Sequence, residues 1–395
     1  MTRRLAFLFA VAGGAAVGNL YWSQPLLDFI ARDLGTDTAA AGWLVTATQL
    51  GYALGIFLFV PLGDVLNRRI LVPVALLCSA AALVASALAP TFGILLATLA
   101  LVGLTTISGQ ILVPLAGDLS DDADRGRVVG TVVSGILIGI LVSRTVAGLV
   151  AGALGWRAIY VVAAGLAILL AALLFAAIPR LEPRTTLRYP ALLASVFAIV
   201  KRERAVRWSL VLGGTSFAVF TMFWTSLTFL LSAPPYRFGV TVIGLFGLVG
   251  LAGAVAAQRA GRLSDRGLGL PAIGVAWVLV LVAFVIAGLG AASVVAIVVA
   301  ILVLDVAIQG HNITVQSRMF LVDASARSRI NTAFVTSNFL CGAVGSGLAS
   351  FLWAHGGWTA IMLAGAVLSG FALTVWAVGR RGPLRVGPQD AQALA

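Results

Sequence analysis

Long apolar stretches constrain the fold of this chain more than any other feature of its sequence. Only 10% of the residues are charged, whereas a soluble domain carries about 25%. A chain so poor in charge cannot cover itself with polar surface in water, and a spanning helix needs roughly 20 apolar residues. The runs predict an all-α integral membrane protein with twelve transmembrane helices, at residues 5–27, 41–63, 70–89, 92–117, 128–153, 158–178, 207–231, 240–260, 271–289, 293–317, 330–354 and 358–378.

Basic residues are distributed unevenly over the gaps between these runs. One alternating set of gaps holds 22 of the 26 basic residues, and the other holds three, Arg32, Arg157 and Arg237. The positive-inside rule then predicts that both termini and the 179–206 connector lie in the cytoplasm, with the protein in the inner (plasma) membrane. The net charge of +12 is therefore a topology signal, and nucleic-acid binding is not expected.

The two halves of the chain repeat each other at a nearly constant offset. Trp22 and Trp224 are 202 residues apart, as are Trp156 and Trp358, and only nine of the 395 residues are tryptophan. A duplicated six-helix bundle is a known transporter plan. The predicted organisation is two pseudo-symmetric six-helix bundles, at residues 1–178 and 207–379. A connector at residues 179–206 joins them, and a tail follows at residues 380–395.

Two loops carry a motif that resembles the major facilitator superfamily. Its pattern is Gly-x-Leu-x-Asp-Arg-x-Gly-Arg-Arg; residues 60–69 read Val-Pro-Leu-Gly-Asp-Val-Leu-Asn-Arg-Arg, and residues 261–267 read Gly-Arg-Leu-Ser-Asp-Arg-Gly. The resemblance implies the major facilitator fold. An Asp at a helix end can bridge to Arg residues, and such bridges can form and break as the cytoplasmic side closes and opens. The gate predicted on this basis comprises Asp64, Arg68, Arg69, Asp118, Arg125, Asp265 and Arg266.

A second motif lies on the fifth run. Gly139, Ser143, Arg144, Ala147 and Gly148 occupy positions where efflux members of the superfamily carry Gly-x-x-x-Gly-Pro-x-x-Gly-Gly, so Arg144 stands at the proline position. The sequence around residues 155–157 and the loop after the second run are most similar to a bacterial branch labelled as drug or sugar efflux. This resemblance implies a drug:proton antiporter-like protein, with the substrate left open.

Charged and polar side chains inside the apolar runs mark the candidate site. Charge near the centre of a membrane helix costs at least about 2.5–3.5 kcal/mol, so Asp305 is predicted as the proton-coupling group. Its neighbours at helical spacing continue one polar face. The residues predicted to line a substrate cavity are Arg144, Gln309, Asn312, Gln316, Gln110, Gln49, Asn338, Trp22 and Trp224. Hydrogen bonding between helices, an ion pair at Arg144 and plain aromatic packing are the alternatives.

The remaining classes of function have little support in the sequence. No phosphate-binding Gly-x-x-x-x-Gly-Lys-Ser/Thr occurs, and the two histidines show no HExxH spacing. We therefore expect a secondary transporter, not an enzyme, with no cofactor and no metal. Its expected partners are a small-molecule substrate, protons and the lipid bilayer, and it is expected to be a monomer. A facilitator or an importer stays open as the alternative to proton-coupled export.

Overall fold

A computed structural model describes residues 1–121, 123–180, 188–250, 269–323 and 326–386. Within these ranges every regular element is a helix, which confirms the all-α prediction. A short 3-10 helix, Gln24–Leu26, lies between the first two α-helices. The α-helices are α1 Arg3–Gly18, α2 Leu27–Asp33, α3 Thr38–Ala41, α4 Trp43–Phe59, α5 Leu62–Val65, α6 Arg68–Ala87, α7 Phe92–Thr105, α8 Ser108–Asp118, α9 Arg125–Leu154, α10 Trp156–Ala177, α11 Tyr189–Arg202, α12 Arg204–Ser232, α13 Val240–Gly250, α14 Gly269–Leu289, α15 Val294–Val322 and α16 Arg327–Gly379.

The helices are long and apolar enough for a membrane protein. In the described part of the chain, nine helical segments meet the length and hydropathy needed to cross a bilayer. One of them, α16, has 53 residues, which is about 80 Å of helix and more than twice the hydrocarbon thickness. Gly357 interrupts α16 with φ 59° and ψ −152°, so α16 holds two spans. Together with the broken α1–α2 segment and α13, the helices are consistent with twelve spans.

Contacts divide the chain into two compact units. Unit 1 holds Met1–Leu193 and Leu231–Leu248, and unit 2 holds Ala194–Leu230 and Val249–Ala395. The end of α12 and most of α13 therefore pack with the first half of the chain. This division reflects which residues are in contact, and it does not test which spans belong to each bundle. The predicted limits of the two bundles, 1–178 and 207–379, therefore remain predictions.

Two predicted spans are broken helices in unit 1. The first span consists of α1, a turn, the 3-10 helix and α2, and the break at residues 19–26 is buried. The fourth span is broken between α7 and α8, at Thr106 and Ile107, which are also buried. Non-helical backbone is tolerated at membrane depth where protein surrounds it. The first break places Tyr21 and Gln24 inside unit 1.

Small residues bring the helices of unit 1 into close contact. A Cβ added at Gly14 of α1 would lie 2.5 Å from the carbonyl oxygen of Gly135 in α9, and Gly139 faces the backbone of Gly14 in return. The same holds between α4 and α7, where Gly51 and Gly103 each contact the backbone of the other helix. Van der Waals packing between small residues is a main source of helix association in membranes.

The backbone repeats between the two halves, as the sequence predicts. Gly155 ends α9 with φ 85°, and Gly357, 202 residues later, has φ 59°. Each glycine precedes a buried tryptophan, Trp156 or Trp358. Only glycine adopts these positive φ values without steric cost, so both halves use the same tight turn between consecutive spans.

Candidate functional site

Arg144 of α9 is one of the largest buried side chains in unit 1, with 2% of its surface exposed. Its Nε atom donates a hydrogen bond to Oε1 of Gln24 at 2.8 Å. Its guanidinium carbon also lies 4.9 Å from the centre of the Tyr21 ring, in a cation–π contact. Both partners come from the break between α1 and α2, so this irregular backbone supplies the polar surroundings of the buried charge.

Helix α13 packs against α9 around this arginine. A Cβ added at Gly247 would lie 3.0 Å from Cβ of Arg144. One turn away, the Thr145 hydroxyl donates to the carbonyl oxygen of Gly244 at 2.9 Å, and Gly148 faces Gly244 across the contact. Gly148, a small residue of the second sequence motif, thus forms a close contact with α13 one turn from Arg144.

The other predicted cavity residues of unit 1 have defined partners. The Gln110 side-chain amide donates to the Tyr52 hydroxyl at 3.2 Å. Trp22 donates its indole N–H to Oδ1 of Asn19 at 2.8 Å, and Asn19 is the C-terminal cap of α1. Gln49 is buried, and its Oε1 accepts no hydrogen bond from the residues that the structure describes. The Gln110 amide therefore joins α8 to α4.

Asp305 of α15 is buried in unit 2, with 2% of its surface exposed. Its Oδ1 accepts a hydrogen bond from the indole N–H of Trp224 at 3.3 Å. Trp224 lies on α12 and packs against Phe220, with 6.3 Å between ring centres. The carboxylate therefore lies between two helices, next to an aromatic ring that donates to it.

The face of α15 that continues from Asp305 is polar and only partly buried. The Ser216 hydroxyl donates to Oδ1 of Asn312 at 3.0 Å, and the Gln316 amide donates to Oδ1 of Asn331 at 2.8 Å. Gln309, between them, is half-buried. The predicted polar face is thus present on one helix and contacts α12 and α16.

Asn338 of α16 is buried beside Gly213 of α12. A Cβ on this glycine would lie 2.9 Å from Oδ1 of Asn338. That oxygen accepts no hydrogen bond within the described ranges of the chain. His311, one position before Asn312, is 1% exposed and contacts Trp277 edge to face, with 5.2 Å between ring centres.

A charged cluster lies at the predicted cytoplasmic ends of the helices in unit 1. Arg68, the first residue of α6, is buried and contacts two carboxylates, Asp118 at 2.6 Å and Asp64 at 3.3 Å. Its Nε also donates to the carbonyl oxygen of Gly63 at 2.6 Å. One guanidinium therefore holds together the ends of α5, α6 and α8, and we call Arg68, Asp64 and Asp118 the gate cluster.

Two other predicted gate residues, Arg69 and Arg125, have backbone carbonyl partners. Arg69 donates to the carbonyl oxygen of Phe175 at 3.1 Å and stacks on its ring, so it joins α6 to α10. Arg125 donates to the carbonyl oxygen of Gly117 at 3.2 Å. Asp265 and Arg266 fall outside the described residues.

A second polar cluster lies on the predicted outer side of unit 1, and the sequence did not single it out. Asp33 accepts hydrogen bonds from the Arg157 guanidinium and, at 2.9 Å, from the Trp156 indole. Arg157 also donates to the carbonyl oxygen of Ala89 at 3.3 Å. The hydrogen bonds from Arg157 and then Trp156 lower the pKa of the Asp33 carboxyl. This cluster joins the ends of α2, α6 and α10.

Several of these partners could not be found by reading the sequence. Gln24 and Arg144 are 120 residues apart, and Trp224 and Asp305 are 81 apart. Charge inside an apolar run reveals Asp305 and Arg144, but a neutral partner on another helix gives no such signal. Tyr21 and Gln24 are such neutral partners, since both lie in the buried break after α1 and contact Arg144 of α9.

These features define a class of protein: a helical membrane protein with an internal repeat, broken spans and buried charges. A family model described as Major Facilitator Superfamily matches residues 7–329. The chain belongs to that superfamily. It is therefore a multi-pass membrane transporter, and not an enzyme.

Known proteins agree with this assignment over nearly the whole length. The chain is 42% identical over 359 residues to an uncharacterized transporter, YgaY, of Escherichia coli O157:H7, covering 91% of each chain. It is 34% identical to a transporter of Streptomyces coelicolor, covering 90% of this chain and 82% of the other. The crystal structure of a bacterial homologue of the human lysosomal transporter Spinster superposes with a TM-score of 0.77 at 15% identity, covering 98% and 97% of the chains. This last likeness shows the fold alone.

Proposed function

We propose that this transporter exports a small organic molecule from the cytoplasm in exchange for protons, by alternating access. The proposal includes a monomer in the inner membrane with both termini in the cytoplasm, and membership of the drug or sugar efflux branch. One observation carries it: a carboxylate, Asp305, is buried in a membrane-spanning helix and accepts a hydrogen bond from Trp224.

Asp305 has the properties of a group that takes up and releases a proton during transport. Burial away from water disfavours the charged carboxylate, whereas the indole N–H of Trp224 stabilises it. A carboxyl balanced between these effects changes its protonation when water reaches it. Since Trp224 lies on α12 and Asp305 on α15, a relative movement of these helices would also change the balance.

Arg144 and the polar face of α15 are the proposed substrate contacts. The Arg144 guanidinium lies against Gln24 and the Tyr21 ring, which together can hold a planar or anionic group. Asn312, Gln316 and Asn338 offer amide groups on helices of unit 2. Gln49, Gln110 and Trp22 are the further proposed substrate contacts of unit 1, and Gln309 and Trp224 are those of unit 2.

The gate cluster is the proposed control point on the cytoplasmic side. Arg68 is a single cation shared by Asp64 and Asp118, so separation of α5 or α8 from α6 breaks a charge-assisted hydrogen bond. Such a contact stabilises one arrangement of the helix ends over another. Asp265 and Arg266, in the second copy of the loop motif, are proposed gate residues on the basis of the sequence alone.

The proposal is tested by transport in liposomes that contain the purified protein. A substrate is first found by screening small organic molecules for binding. Its flux is then measured with a pH difference across the membrane, with the same pH on both sides, and with the difference collapsed by a protonophore. Exchange predicts movement against a substrate gradient only while the pH difference lasts. Equal flux in all three conditions would identify a facilitator.

A further inference from the structure

A cavity of about 620 Å³ opens on the predicted outer side of unit 1. Its lining includes Phe29 of α2, Phe238 and Val240, together with the buried residues Pro25 and Ile243. Three charged residues, Asp28, Arg32 and Arg237, also line it. The cavity therefore combines aromatic and aliphatic walls with charge, a composition typical of sites for small organic ligands.

Arg237 adopts a backbone conformation that a side-chain-bearing residue rarely takes, with φ 50°. Two backbone hydrogen bonds hold the turn at Arg237. The Arg237 amide donates to the carbonyl oxygen of Ala233 at 2.9 Å, and the Phe238 amide donates to the carbonyl oxygen of Leu231 at 2.8 Å. Glycine would adopt this conformation without strain. Residues held in such conformations cluster at active sites and ligand-binding sites, so the conformation of Arg237 supports a functional role.

Among the described residues, the cavity is lined by two arginines but by only one acidic residue, Asp28. Asp28 forms an ion pair with Arg32 and accepts a hydrogen bond from Thr38 at 3.2 Å. Arg237 forms no ion pair with any residue that the structure describes. Outer loops are depleted of basic residues in this chain, and the two other arginines there, Arg32 and Arg157, each have an acidic partner. Arg237 is thus a cation at the mouth of a partly apolar cavity.

We propose that this outer cavity is a binding site for small amphipathic organic anions, with a carboxylate or sulfonate on Arg237 and an apolar body against Phe29 and Phe238. A guanidinium matches the planar, bidentate geometry of a carboxylate. Two lining residues lie near the deeper site along the chain. Pro25 is next to Gln24, and Ala151 follows Arg144 by seven residues, or about 10 Å of helix. A transported anion would then occupy the cavity after it leaves, or before it enters, the deeper site at Arg144 and Gln24. The binding itself does not depend on Asp305 or on proton exchange.

The charge of the cavity is tested with a cysteine at Gly239, a lining residue where an added Cβ meets no atom within 4 Å. Cys78 and Cys341 are first replaced by Ala. The purified protein is then treated with two methanethiosulfonates, an anionic sulfonatoethyl reagent and a cationic trimethylammonioethyl reagent. We expect the ratio of anionic to cationic reaction rates to be about tenfold higher at Gly239→Cys than at Ala292→Cys, an exposed control in unit 2.

Variants of Arg237 then separate charge from backbone strain. Arg237→Asn removes the cation but tolerates positive φ, and it should lower the ratio to the control value. Arg237→Lys should keep the ratio of anionic to cationic reaction rates close to that of the wild-type arginine, and Asp28→Asn should raise this ratio. Benzoate should protect Gly239→Cys from modification at concentrations where the neutral benzamide does not. A ratio unchanged by Arg237→Asn, or equal protection by benzoate and benzamide, would overturn the proposal, whatever the outcome of the proton-exchange assay.

Discussion

Asp305 and Arg144 are buried charged side chains that lie well inside membrane-spanning helices, and each has a neutral aromatic neighbour. The sequence predicts both residues because charge within an apolar run is costly. It does not predict Gln24, Tyr21 or the bond from Trp224 to Asp305, because these contacts join helices that are far apart in the chain. Prediction at this scale is therefore good for charges and poor for their partners.

Asp33 gives a prediction at the same scale that concerns stability. A carboxyl with a lowered pKa stabilises the fold above its unfolded pKa of about 3.9, and this contribution is lost as the pH falls through the folded-state pKa. Asp33 and Arg157 are each about two-fifths exposed, so the pair contributes about 0.2–1 kcal/mol. We expect Asp33→Asn to lower Tm by about 1–2 °C at pH 7 and to have a smaller effect at pH 3, where Asp33 is partly protonated. Thermal unfolding in detergent measures this, and a difference that does not change with pH would contradict it.

At the scale of elements, the contact between helices α1 and α9 positions the surroundings of Arg144. Close packing of glycines lets the two backbones approach, and the break after α1 then brings Tyr21 and Gln24 to Arg144. The sequence accounts for the first break through Pro25, which lacks the backbone N–H that a helix interior needs. It gives no comparable signal for the break between α7 and α8, where no proline or glycine occupies residues 105–108.

The glycine contact can be tested with one substitution at two positions of α9. Gly139→Ala places a methyl group against the backbone of Gly14, whereas Gly130 has no atom within 4 Å of an added Cβ. We expect Gly139→Ala to lower the free energy of unfolding by about 1–3 kcal/mol. Gly130→Ala should leave it unchanged or raise it slightly. Equal Tm values for both variants would show that this helix contact is not tightly packed.

The gate cluster gives a second prediction at the scale of helix ends. Asp118 lies closer to Arg68 than Asp64 does, at 2.6 Å against 3.3 Å. Asp118→Asn should therefore speed labelling of a cysteine at the buried position Gly117 by about fivefold, since such a pair contributes about 1 kcal/mol. Asp64→Asn should have a smaller effect. Asp121→Asn, at an exposed position of the same loop, is the matched control, and a rate equal to this control in both variants would refute the gate.

For the whole molecule, the duplication is the feature that sequence and structure share most clearly. Two tryptophan pairs at an offset of 202 predict the repeat, and the positive-φ glycines Gly155 and Gly357 confirm it in the backbone. The sequence does not predict that residues 231–248 pack with the first half. That packing depends on contacts between α13 and α9 through glycine and threonine, which leave no periodic pattern.

Topology is predicted at this scale as well. Reporter fusions at residue 190 and at the C terminus should both be active in the cytoplasm, because 22 of the 26 basic residues fall in the same set of gaps. A fusion at Ala292, in the opposite set, is the control and should report the outer side. A C terminus outside the cell would be incompatible with an even number of spans.

Driven transport by an Asp305→Asn variant is the most direct test of the proposed mechanism. Asp323→Asn, at the end of the same helix and paired with Arg202 at 2.8 Å, is the matched control. With a substrate from the binding screen, wild type and Asp323→Asn should move it against its gradient in response to a pH difference. Asp305→Asn should fold, bind substrate and exchange it, yet show no response to the pH difference. A well-folded Asp305→Asn protein that still drives substrate against its gradient would show that Asp305 is not the coupling site.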